Sequence, residues 1–204
     1  MGEAVRESGL GGALLRLSVH WAPNSETAVT AVLREFSGYP ARLYEEGVAL
    51  KTAVPRRWTL KAQDPQIKAS QFVSGVLASL DCIGQKPHEF LFLNSAGTVA
   101  EGSVSNIFIV DGAKRILTPS VGSGILRGVT REALIGLAKK KGHEVLETPL
   151  TRHEIYSAKE CFLTNTSSEL LPVVQVDGRS VGNGRPGPVT RRLAVDFKKM
   201  VRSI

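Results

Sequence analysis

The sequence predicts an α+β fold with several short strands, closed into a barrel-like sheet. Two observations predict it. Apolar runs that alternate at period two, or stay apolar over a few residues, recur between Gly, Pro, Asn and Asp turns, while fewer stretches carry a helical stripe. No internal repeat or low-complexity linker divides the 204 residues, enough for one large or two small domains to bury a core.

Leu14–His20 alternates at period two and reads as a strand. Thr27–Leu33, within 25–36, fits strand and helix equally. Arg42–Leu50 reads as a strand pair around a turn at Gly47. Residues 69–83 place Phe72, Val73, Val76, Leu77 and Leu80 on a helical stripe closed by Gly84. Phe90–Leu93 and Ser105–Val110 flank the turn residues Asn94–Gly97 and read as a hairpin. Asp111-Gly112 is a second tight turn, leading to Arg115–Thr118. Val129–Lys141 is a helix with Leu134, Leu137 and Ala138 inward, ended by Gly142, and Glu144–Leu150 is a strand. Thr151 and Glu154 form a capping box that opens the next helix. Cys161–Thr164 and Pro172–Val176 are strands, the latter running into Asp177-Gly178. A Gly/Pro-rich loop over 182–188 precedes a closing helix, Thr190–Val201, with Leu193, Phe197 and Val201 in register.

Composition narrows the classes. Apolar residues make up 42% and charged residues 22%, the balance of a soluble globular chain. No apolar stretch is long enough to span a membrane. The first residues alternate charge and lack a signal peptide's apolar centre, so a cytoplasmic address is expected. The net charge of +7 comes from scattered basic residues with no interleaved aromatics. That pattern suits anionic small molecules better than nucleic acid. Cys82 and Cys161 read as buried thiols. No metal-ligand spacing links them with His20, His88, His143 and His153, so no metal is expected.

Three features carry chemistry. Lys68 follows an Asp64-Pro65 turn and offers an amine. Glu101 lies between apolar strand segments, where an unpaired carboxylate is expensive, so it needs a cationic partner: an arginine elsewhere in the chain or a bound cation. Gly128-Val129-Thr130 stands at a helix start, whose free N–H groups and positive dipole end attract phosphate. An amine, a carboxylate and an anion-binding turn are what a pyridoxal 5'-phosphate (PLP) site needs: a Schiff-base partner, a partner for the protonated pyridine nitrogen, and a phosphate cradle.

From about Leu14 onward the chain resembles the class IV (fold-type IV) PLP-dependent aminotransferases, which include branched-chain and D-amino-acid transaminases and 4-amino-4-deoxychorismate lyases. The matching pieces occur in the family's order: Ile67-Lys68, Val99–Ser103 with Asn106, Leu126–Arg131, Phe162–Thr166 with Glu169 and Pro172, and Asp177–Arg179 leading to Gly187–Thr190. The resemblance implies a D-amino-acid-aminotransferase-like fold. Its barrel-like PLP-binding C-terminal domain with flanking helices would occupy 59–204. Residues 1–58 would be a remnant of the N-terminal domain and the interdomain connection, that domain being largely absent.

The resemblance also implies roles. Lys68 matches the Schiff-base lysine, whose neutral amine is nucleophile and then proton shuttle; burial near a cationic imine would lower its pKa. Glu101 matches the partner of the pyridine nitrogen. Leu126 would pack on the ring, and the amides of Val129 and Thr130, with the Thr130 hydroxyl, would hold the phosphate. Thr166 and Ser167 match a loop that closes the phosphate and meets the substrate carboxylate. The implied activity is transfer of an amino group between an amino acid and a 2-oxo acid, in a homodimer that builds its site at the interface. The alternatives are an aminodeoxychorismate lyase, releasing 4-aminobenzoate and pyruvate, and a catalytically impaired short form. Two departures stand out. The family's His-x-x-Arg-Leu phosphate motif has no match, which leads one to expect weak PLP affinity. At the positions where many relatives place an aromatic hydroxyl stand Phe72 and Val73.

Overall fold

The computed structural model describes residues 6–21, 26–57, 64–70, 72–81 and 87–203. The chain divides into two compact units, Met1–Tyr39 and Pro40–Ile204. In the first, β1 (Ala13–Trp21) and β2 (Thr27–Glu35) form an antiparallel hairpin in which Leu15 faces Leu33 and Val19 faces Val29. The ambiguous stretch from Thr27 is thus a strand, as its β-branched residues favour once a partner strand is present. Leu17, Val19, Trp21, Val29 and Val32 are exposed.

The second unit carries α1 (Arg42–Glu46), β3 (Val48–Thr52), α2 (Val73–Leu80), β4 (Glu89–Leu93), β5 (Val99–Gly102), β6 (Asn106–Val110) and β7 (Ile116–Thr118). It continues through α3 (Val129–Lys140), β8 (Val145–Glu147), α4 (Arg152–Ser157), β9 (Glu160–Asn165), β10 (Glu169–Val176), β11 (Arg179–Ser180) and α5 (Pro188–Arg202). Strands β3 to β11 form one sheet of order β5-β4-β3-β10-β9-β6-β7-β8, with β11 on β10. Strand β3 lies between β4 and β10 and is parallel to both, although it precedes the 58/59 boundary expected from sequence.

Both faces of the central strands are buried, which is why β6 and β9 read as continuous apolar runs rather than alternating ones. Ile107, Ile109, Cys161 and Leu163 join the core on one face. Phe108, Val110, Phe162 and Leu170 face the other way and pack with Leu134, Leu137 and Ala138 of α3 and Leu193 and Phe197 of α5. Register partners Phe108 and Phe162 stack at 5.1 Å. Burial pushes the Cys161 thiol's pKa up, an inert interior thiol as expected. Cys82 and Gly84 lie outside the described residues. The Thr151–Glu154 capping box is present, with both reciprocal bonds.

Two sequence readings are corrected. Residues 42–50 are a helix and then a strand, not two strands. Adjacent Leu43 and Tyr44 both pack on the core, which a helix start allows and a half-buried strand does not. Gly47, at φ 81°, ends that helix, and a side chain there would strike Val174. Next, the hairpin partner of β4 is β5, not β6, because Asn94 closes the turn onto Thr98 through both its amide and its side chain. The polar Glu101 had interrupted the apolar pattern of β5. The stripe read as helical is α2, and it faces outward: Val73, Val76, Leu77 and Leu80 are 47 to 60% exposed, while Ala78 is buried with Ala53 and Phe92.

Asp177 fastens the end of β10 to β3. At φ 53°, it accepts from Thr52 N (2.6 Å) and Thr52 Oγ1 (2.5 Å) and from the Tyr156 hydroxyl (2.7 Å). Partial burial pushes the Asp177 carboxyl up, but these bonds and nearby Lys51 outweigh it and hold the group below its ordinary value. Asp177→Ala is expected to cost about 2–4 kcal/mol, from lost charge-assisted bonds and a strained left-handed Ala, read from the urea midpoint. Because the folded pKa is depressed, this contribution is present above the unfolded value near 3.8 and is lost as pH falls through the folded value. The gap between wild type and variant therefore narrows in acid, down to the pH-independent backbone strain of the alanine.

Candidate active site

One cavity of about 400 Å³ in the second unit collects the residues singled out from sequence. Lys68, Glu101, Leu126, Val129, Thr130 and Thr166 all line it. Ser167 does not; its N–H and hydroxyl are engaged by Asn165 Oδ1, in the turn that puts Thr166 on the wall.

Each wall follows from local sequence. Asp64-Pro65 turns the chain, with Ile67 N bonded to Asp64 O, and delivers Lys68 to the cavity. Gln66 ties that turn to the opposite loop: its Nε2 donates to Ile125 O at 2.7 Å, and its Oε1 accepts from Arg127 N at 3.3 Å. Helix α3 starts at Gly128, which has no side chain to cap the first turn. A Cβ there would collide with Asn106 Oδ1, so only glycine lets the helix N-terminus approach the sheet so closely. Arg131, fully buried, braces the same turn through Pro119 O (2.9 Å), Glu147 (2.8 Å) and Glu132 (2.6 Å). The buried Thr164 hydroxyl lines the cavity and has no hydrogen-bond partner among the described residues.

Glu101 is the electrostatic centre. Its Oε1 pairs with Arg57 Nη2 at 2.8 Å, while Oε2 accepts from Leu126 N at 3.0 Å and Asn106 Nδ2 at 3.2 Å. Asn106 also donates to Leu126 O at 2.8 Å, locking carboxylate, asparagine and loop together. Burial pushes the Glu101 carboxyl up to about 7. Arg57 and the Leu126 N–H pull against that rise, Glu89 adds to it, and Lys68 offsets part of it. Glu89 is a second buried carboxyl, raised by burial against bonds from Val104 N and Ser105.

The cationic partner that Glu101 demanded thus includes an arginine of the chain itself. Arg57 is one of the basic residues read from sequence as merely scattered; the signal that could have found it was the unpaired glutamate in an apolar run. Asn106 and Gln66 were also missed as site residues. Polar side chains that bridge loops leave no periodic trace. Among the described residues no cluster of three His, Cys, Asp or Glu could hold a metal, and no helix is long and apolar enough to cross a membrane.

Comparison with known proteins places the fold and the family. The family model described as amino-transferase class IV matches residues 3–176. The branched-chain-amino-acid aminotransferase of Pseudomonas aeruginosa is 35% identical over 210 residues, covering 97% of this chain and 67% of that protein. A relative from Methanocaldococcus jannaschii is 38% identical over 159 residues, covering 78% of this chain and 55% of its own length, so the chain spans little more than half of it. Among solved structures, the T.th. branched-chain amino acid aminotransferase with pyridoxamine 5'-phosphate superposes with a TM-score of 0.90 at 30% identity, covering 98% of this chain and 68% of that one. With the family model spanning most of the sequence and the fold matched nearly end to end, the chain belongs to the class IV aminotransferase family.

Proposed function

We propose that this chain is a PLP-dependent aminotransferase of the cytoplasm, exchanging an amino group between an amino acid and a 2-oxo acid. The observation that carries the reading is one cavity walled by an amine (Lys68), a buried carboxylate (Glu101) and an uncapped helix N-terminus (Gly128–Thr130). Branched-chain donors are the first to try, because the relatives named above carry that substrate in their names.

The residues fit the cofactor. Arg57 supplies one positive charge against two buried carboxyls, Glu89 and Glu101, so with both ionised the pocket favours a further cation such as a pyridinium. Glu101 Oε1 carries only the Arg57 bond and keeps capacity for a second donor. A cavity of this size is within the usual range for small-molecule sites. When bound, PLP supplies an aldehyde and an electron-accepting ring.

The chain's own residues do the rest. The Lys68 amine is the nucleophile and afterwards carries the proton at the substrate Cα. Glu101, held by Leu126 N, Asn106 and Arg57, would pair with the protonated ring nitrogen. The N–H groups of Val129 and Thr130, the Thr130 hydroxyl and Thr166 would hold the phosphate, and Leu126 would pack on the ring. We propose further that a second copy of the chain covers the exposed apolar residues of the β1–β2 hairpin and α2, giving a homodimer. The test is to add PLP to purified protein, with leucine and 2-oxoglutarate. A visible cofactor band and glutamate formation are expected from a dimer by light scattering. Release of pyruvate from aminodeoxychorismate without amino exchange would instead favour the lyase, and absence of any band would overturn the cofactor assignment.

A further inference from the structure

We propose that Arg57 is a positioning residue that holds Glu101 ionised and in one orientation, and so makes cofactor capture by this site depend on pH; this rests on the cofactor reading above. The argument begins with how firmly Arg57 is held. Its backbone N–H donates to Leu93 O at 2.9 Å, attaching it to the end of β4. Its guanidinium lies over the Phe92 ring, 4.9 Å from the centroid, and Nη2 reaches both Glu101 Oε1 (2.8 Å) and Gly102 O (3.2 Å). A guanidinium already stacked on a ring gives up little freedom to make such contacts.

Arg57 takes one carboxylate oxygen, and the Leu126 N–H and Asn106 amide take the other. The carboxylate therefore cannot turn without breaking one set. Of the charged groups around Glu101, Arg57 and Lys68 favour its ionised form and Glu89 opposes it, and Arg57 has the largest effect of the three. Lys68 must act neutral as a nucleophile, which leaves Arg57 as the permanent positive charge facing Glu101. Burial alone would leave a protonated acid, unable to hold a pyridinium. Arg57 is thus placed to keep the acid in its useful form, and it lines the same cavity.

Binding then has two pH regimes. Below the Glu101 pKa, capturing a cationic ring requires ionising the glutamate, and Arg57 lowers that cost. Above it, the glutamate is already ionised, and the guanidinium only repels the incoming cation. A substitution that merely damages structure weakens binding in both regimes.

The experiment uses Arg57→Gln, which retains an amide donor and loses the charge, and Arg57→Lys, which keeps the charge. In apoprotein labelled with 13C at the glutamate carboxyls, the Glu101 resonance is the one missing from Glu101→Gln. Its titration midpoint is expected about 1 pH unit or more higher in Arg57→Gln and near wild type in Arg57→Lys. By equilibrium dialysis, Arg57→Gln is expected to bind PLP about tenfold more weakly than wild type at pH 6 and no more weakly at pH 9, with Arg57→Lys restoring the pH 6 affinity. An unmoved Glu101 midpoint, or equal weakening at both pH values, overturns the proposal. If wild type itself takes up no PLP, the cofactor reading fails, and the apoprotein titration still decides whether Arg57 governs Glu101.

Discussion

Lys68→Ala is expected to abolish the borohydride-reducible cofactor adduct and to lower amino transfer by about 10⁴-fold or more, since in the proposed reaction one amine serves as nucleophile and proton carrier. The side chain is exposed on the cavity wall, so its loss opens no core. Far-UV circular dichroism and the thermal midpoint should match wild type, and phosphate binding at the α3 N-terminus should survive. The decisive measurement is peptide mass spectrometry after borohydride reduction of the wild-type protein with PLP. Label on Lys51 or Lys61 in place of Lys68 would show the assignment to be wrong.

Glu101→Gln is expected to bind the cofactor more weakly than wild type, still through Lys68 and the phosphate contacts, and once loaded to slow half-transamination by roughly two to three orders of magnitude, the scale of removing one preorganised electrostatic contact. The amide keeps the shape and can still accept from Leu126 N, but it carries no charge to sustain a protonated ring nitrogen. Near-normal half-transamination would exclude this role. The same variant should change the apoprotein's stability profile. The folded pKa of Glu101, about 7, lies above its ordinary value of 4.5. The folded state therefore binds the proton more tightly between those values. Wild-type stability should fall by about 3 kcal/mol as pH rises through that window and level off above it. In Glu101→Gln that slope should flatten, leaving the weaker contribution of Glu89. Chemical denaturation at half-unit pH intervals reads it directly.

These two expectations draw differently on sequence and structure. The role of Lys68 came from resemblance alone, because an isolated lysine has no local signature. Glu101 was marked twice, by the resemblance and by the cost of a lone carboxylate in an apolar strand. What the strand pattern did not contain was the identity of the partner. Arg57 lies 44 positions earlier in the chain, and only the packing of residues 53–57 along β4 brings its guanidinium to β5.

By itself the sequence determined the elements that signal locally: the capping box at Thr151, the helix from Val129, the β6–β7 turn at Asp111-Gly112, and the apolar runs of β6 and β9. Motif order also marked six of the residues that gather at the cavity, Lys68, Glu101, Leu126, Val129, Thr130 and Thr166, though it marked Ser167 as well, which does not line it. Tertiary structure alone decided the pairing of β4 with β5, the helix at Arg42–Glu46, and the outward stripe on α2. It likewise decided the polar frame of Arg57, Asn106 and Gln66 around the site. The physical reason is the range of the forces involved. Caps, turns and periodicity are settled within a few residues. Strand pairing, the face a stripe presents and the partner of a buried charge depend on what the rest of the chain brings alongside.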